Sequence, residues 1–161
     1  MDKSQKIILA VISAILAAAL TVLFVLAAQR RATTGEFVPP PFEDAAEEGT
    51  PVVSDESLRY AHVLVTSELV IGLCATCAIE DESLLLYFAS LEHNTAWVRV
   101  KVYDERGKLC GESGLLRPGE YVERIALSSK PRGKTLVVKV LSYEPDTYYS
   151  LGTAELTVNV K

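Results

Sequence analysis

The sequence predicts an all-β domain, a two-layered antiparallel sandwich of seven to eight strands, behind one N-terminal transmembrane α-helix and a disordered tether. Three observations carry that expectation. An unbroken apolar run lies next to the N-terminus, a two-residue alternation of apolar and polar side chains runs through the C-terminal part, and turn-forming clusters recur at short intervals.

The first element is the apolar run, residues 7–28, interrupted only by Ser13 and Thr21. At 1.5 Å rise per residue, roughly 20 apolar residues cross the hydrocarbon core, so this helix is long enough to span a bilayer. A cleavable leader has a shorter apolar stretch and a small-residue exit site. Lys3 and Lys6 before the run and Arg30 and Arg31 directly after it fit an uncleaved signal-anchor better. The Lys/Arg count is balanced across the run. The short tail, residues 1–6, and the acidic segment that follows Arg31 favour a cytoplasmic N-terminus and an extracytoplasmic C-terminal domain, with the helix as the cell-membrane anchor. Ala10, Ala14 and Ala18 recur at i, i+4 and i+8, a small-residue spacing that allows close helix approach and a homodimer through the span.

The second element, residues 29–57, is acidic and contains Pro39-Pro40-Pro41, which favours an extended polyproline II stretch. Two arginines face seven carboxylates there, a charge of −5 that equals the formal charge of the whole chain. The expectation is a solvated linker with too little apolar surface to order itself.

Residues 58–161 form the third element, long enough for one domain with its own core. Its charges nearly cancel, twelve cations against thirteen anions, without a basic stripe interleaved with aromatics, so nucleic acid is not an expected partner. Ala154, Leu156, Val158 and Val160 alternate with polar residues, as do Val98, Val100 and Val102. Residues 120–127 and 136–143 are further strands, and residues 69–79 and 84–89 read as more fully buried ones. Turns are expected at Asp81-Glu82-Ser83, Asp104 to Gly107, Arg117-Pro118-Gly119, Pro131-Arg132-Gly133 and Glu144-Pro145-Asp146. Seven or eight short strands at this spacing point to an immunoglobulin-like β-sandwich, with a closed barrel as the alternative.

Chemistry-bearing residues are few. Cys74-Ala75-Thr76-Cys77 is a C-x-x-C and Cys110 is the third cysteine. A redox pair needs a helix N-terminus, whereas this motif lies among strand formers. Zinc needs a fourth ligand, and only His62 and His93 are present. A disulfide from Cys74 or Cys77 to Cys110 would suit an extracytoplasmic domain; buried free thiols are the favoured reading. Gly111-Glu112-Ser113-Gly114 lacks the spacing of a nucleophile elbow. No catalytic, cofactor or metal site is expected, and the alternative to a binding role is an envelope thiol or metal protein built on the three cysteines. Tyr121, Tyr143, Tyr148 and Tyr149 near turns are candidate recognition anchors, or else corner locks of a sandwich.

One resemblance rests on Asn94-Thr95-Ala96-Trp97 leading into Val98–Val102, on Asp104 to Gly107, on Gly114-Leu115-Leu116-Arg117-Pro118-Gly119-Glu120-Tyr121, and on Tyr143-Glu144-Pro145 with Tyr148-Tyr149. These stretches, with the anchor and acidic linker, resemble small single-pass, immunoglobulin-like surface proteins of Gram-positive (Firmicutes-type) bacteria. The chain departs from that pattern at Ser90-Leu91, where an Asn-Pro is usual, and at Cys110, where an aliphatic residue is usual. The resemblance implies fold and location only; an envelope protein partner of unknown identity is expected from the binding role.

Overall fold

The computed structural model describes Asp2 and residues 37–161; the residues expected to span the membrane, 7–28, lie outside these. Among the described residues no helix is long and apolar enough to cross a membrane. The compact unit runs from Pro40 to Lys161, so residues 40–57 belong with the domain rather than with the free linker expected over 29–57.

The unit is all-β. Ten strands follow in order: β1 (Glu47–Glu48), β2 (Tyr60–Thr66), β3 (Leu69–Cys74), β4 (Thr76–Glu80), β5 (Ser83–Ser90), β6 (Trp97–Tyr103), β7 (Leu109–Glu112), β8 (Glu120–Ala126), β9 (Thr135–Tyr143) and β10 (Ser150–Val160). A 3-10 turn, Glu56–Leu58, precedes β2; Asp55 caps it by accepting from the Ser57 N–H. The strands form one curled sheet in the order β1-β8-β5-β4-β10-β9-β6-β7, with β2 and β3 added alongside β5.

The curl turns on β4. Its far end pairs antiparallel with β5, from Ala78 opposite Leu85 to Glu80 opposite Ser83. Its first residues instead run parallel to β10, Thr76 opposite Asn159 and Cys77 opposite Val160. Residues 69–79, expected as one strand, are therefore broken at Ala75, whose N–H donates to Arg59 O and whose carbonyl accepts from Asn159 N.

Alternation builds the core. Val98, Val100, Val102, Leu136 and Val138 are fully buried, and the register sets Val100 opposite Val140 and Val102 opposite Val138. Phe88, Leu84, Leu86, Ile71 and Ile125 from the other half belong to the same apolar cluster. Each such side chain contributes about 1.5–3 kcal/mol by leaving water. β1 and β7 were not visible in the alternation because they are short, four residues at most.

Residues 41–48 are strapped onto this framework. Leu115 N donates to Pro41 O and Glu43 N to Leu115 O, and the Glu43 carboxylate accepts from Gly114 N at 2.7 Å. Any side chain at Gly114 would collide with the Phe42–Glu43 backbone, so glycine allows the strap to lie close. The Phe42 ring meets Trp97 edge-on at 4.9 Å and carries the Arg117 guanidinium at 3.7 Å from its centroid.

Candidate functional site

One cross-strand row spans five strands: His62, Gly72, Ala89, Tyr121 and Glu47 stand opposite one another in turn. Directly opposed residues project from the same face. Ile71, in the neighbouring row, belongs to the apolar core, so alternation turns this row outward. His62 and Ala89 of this row line a cleft of about 540 Å³. Tyr60 and His62 line one side and Glu48 to Thr50 the other, with Glu92 and the Arg117–Gly119 turn also on its wall. A second hollow of about 600 Å³ shares Thr50, Tyr60 and His62 and continues past Asp55, Glu56 and Arg59.

Local sequence explains the shape. Tyr60 and His62 are two apart on β2, share a face, and pack edge-on with ring centroids 5.7 Å apart. The Tyr60 phenol lies over Gly72, where any Cβ would strike it. Its hydroxyl is buried without a hydrogen-bond partner, and burial pushes its pKa upward. On the opposite wall Gly49 N donates to Gly119 O.

The cleft is acidic on balance. Glu48, Glu92 and Glu120 line it with one arginine, Arg117, whose guanidinium is held by Glu120 at 3.1 Å. The Ser90 hydroxyl on its wall accepts from Asn94 Nδ2 at 3.1 Å. The arrangement offers hydrogen bonds and charge to a bound group.

β2 borders this cleft and is an edge strand. It pairs with β3 alone, and its other side has no strand partner among the described residues. Ala61, His62, Leu64 and Thr66 are exposed along it, Leu64 by 67%. β10 is open too: opposite β9 it pairs with β4 only at Asn159 and Val160.

The structure separates the four tyrosines singled out by sequence. Tyr121 is 9% exposed and donates its hydroxyl to the Glu47 carboxylate at 2.6 Å, which with burial holds the phenol up at about 12. Tyr148 packs edge-on to Trp97 at 5.2 Å. Tyr143 is half-buried at the end of β9. Tyr149 is 72% exposed. None lines the cleft.

Cys74, Cys77 and Cys110 are free thiols, each fully buried. The break at Ala75 brings Cys74 and Cys77 onto the same interior side, and the Cys77 thiol donates to Cys74 O at 3.4 Å. Burial pushes Cys74 up to about 11 and Cys77 up to about 12, the opposite of what a reactive thiol requires. Cys110 donates to Lys108 O at 3.3 Å. No group of three or more His, Cys, Asp or Glu among the described residues is placed to hold a metal ion.

Sequence reasoning missed the cleft because its residues come from four separate segments, and no spacing along the chain signals register across strands. The pair Tyr60 and His62 was the one local signal. Compared with known proteins, the chain matches no family model and is significantly similar to none of the curated proteins.

Proposed function

We propose that this protein is a membrane-tethered, non-enzymatic binding module. In this reading an immunoglobulin-like β-sandwich is held outside the cell membrane on a signal-anchor helix and serves protein binding or assembly in the cell envelope. The sandwich assignment is supported by β4, shared between two halves whose buried faces enclose one core, and by the adjacency of β5 and β8, which are not consecutive. The apolar run at 7–28 supports the location, as does the resemblance to Gram-positive single-pass surface proteins.

The observation that carries the binding role is the open outer side of β2, whose unpaired backbone and exposed Leu64 lie beside the cleft. An unpaired edge is a template for an extended partner segment, with side-chain pockets adding selectivity. In-cell photocrosslinking tests it. A crosslinker at Leu64 should capture one discrete envelope protein, while one at Lys101, in the middle of β6, should not. Equal capture at both positions, or none at Leu64, would remove β2 as the binding edge. Protease shaving of intact cells tests the location. Release of the β unit supports an extracytoplasmic domain, and protection until the membrane is breached refutes it.

A further inference from the structure

Charge that cancels along the sequence is segregated in space. The loop joining β6 to β7 carries Arg106 and Lys108, and the loop joining β8 to β9 carries Lys130, Arg132 and Lys134; all five are exposed. Two buttresses hold the loops together. The Glu105 carboxylate accepts from Lys134 N at 2.9 Å and Thr135 N at 3.1 Å. Asp104 accepts from the backbone N–H groups of Lys108 and Arg106 at 2.9 Å and also from Arg132, and these bonds hold its carboxyl below the usual range.

None of the five cations forms an ion pair among the described residues, although Arg99, Lys101, Arg117, Arg124, Lys139 and Lys161 all do. Also at this end are Asp81 and Glu82 in the β4–β5 turn on the other half of the sheet, and the Asp55–Lys161 pair, 2.6 Å apart, next to Lys134, whose carbonyl accepts from Val160 N. The setting is otherwise acidic, since residues 40–161 hold twelve cations and nineteen anions. A concentrated basic end on an acidic body attracts a polyanion in one orientation.

We propose that this end of the unit binds a linear polyanion with repeated phosphate groups. Arg106 and Arg132 supply planar forks for phosphate oxygens, and the three lysines supply point charges along its length. Residues 104–108 and 127–134 contain no aromatic side chain, so neither loop offers a stacking platform for nucleic-acid bases. β6 and β9 run the length of the sheet between this end and Trp97, where Phe42 packs. The cations therefore stand at the far end of the unit from the strap.

The test uses the full chain in nanodiscs of zwitterionic lipid, titrated with fluorescently labelled long-chain polyphosphate. Binding should weaken steeply with salt. Replacing Lys130, Arg132 and Lys134 together by Gln should weaken it at least about tenfold and lower the salt slope by roughly 0.7 per cation, the single-strand value. Arg106→Gln with Lys108→Gln should act in the same direction from the other loop, and Lys101→Gln should leave binding within about twofold. Absence of salt-dependent binding, or wild-type affinity in both loop variants, would overturn the proposal. So would tighter binding of polyglutamate, single-stranded DNA or anionic-lipid vesicles than of polyphosphate, which would assign the basic end to an acidic protein, a nucleic acid or a membrane surface.

Discussion

Replacing Phe42 by Ala tests whether the strap belongs to the folded unit. Its ring touches Trp97 edge-on at 4.9 Å and lies 3.7 Å from the Arg117 guanidinium. An aromatic pair contributes about 0.5–1.5 kcal/mol beyond its area, and a cation over a ring at a partly exposed site about 0.5–1 kcal/mol. Arg117 is half exposed, so its share belongs at the low end. Returning a half-buried phenyl to water adds roughly 1 kcal/mol. Phe42→Ala should therefore cost about 2–3 kcal/mol, about 1–1.5 M in the urea midpoint for an m-value of about 2 kcal/mol/M. Trp97 is the only tryptophan, so its fluorescence reports both the unfolding transition and the loss of the contact. Glu43→Gln, which gives up a charge-assisted bond to Gly114 N, should lower stability in the same direction by about 1 kcal/mol. A midpoint unchanged within error for both variants, with an unshifted Trp97 emission, would mean that residues 41–48 are a free linker and that the strap reasoning is wrong.

The three thiols should resist alkylation in the native chain at pH 8 and react once it is unfolded, because burial raises Cys74 to about 11 and Cys77 to about 12. The folded pKa values of Cys74 and Cys77 lie above the unfolded value, so the stability these two contribute is intact below about pH 9 and declines as pH rises toward 11–12; denaturation at stepped pH reads this. The Asp55 carboxyl is held down at about 2, chiefly by its hydrogen bond from Lys161. Lys161→Ala should return its NMR titration toward 3.8, and in the wild type the contribution of this pair is present above about pH 4 and lost as pH falls toward 2. Phe88 is fully buried between the two halves, so Phe88→Ala should cost about 3–5 kcal/mol in chemical denaturation.

The long strands were legible in the sequence because half-buried strands write their burial at period two. Val98 to Val102 and Ala154 to Val160 did so and lie in β6 and β10. The break at Ala75 was hidden, since residues 69–79 are buried on both sides and carry no alternation to interrupt. β2 was only half visible, because Ala61, His62 and Thr66 give it a mixed surface. The strap was misjudged for a physical reason: composition placed Glu43 and Glu47 in solvent, whereas Gly114 N and the Tyr121 hydroxyl each donate to one of those carboxylates. Tyrosines near turns were read as recognition anchors or as corner locks of a sandwich. Register decides instead, and it commits Tyr121 to Glu47 while leaving the cleft to Tyr60 and His62.

The pairing of β4 with β10 bears on how the unit forms. Thr76 meets Asn159 and Cys77 meets Val160 across 83 residues of chain, so this contact closes one of the longest loops in the chain and comes late in folding. The β2–β3 and β4–β5 hairpins are local and assemble first. A chain made from its N-terminus thus holds the free side of β4, with Cys74 and Cys77 behind it, uncovered until β10 has emerged. During that interval alone the two thiols are open to oxidation or to a chaperone, and completion of the sheet ends their exposure.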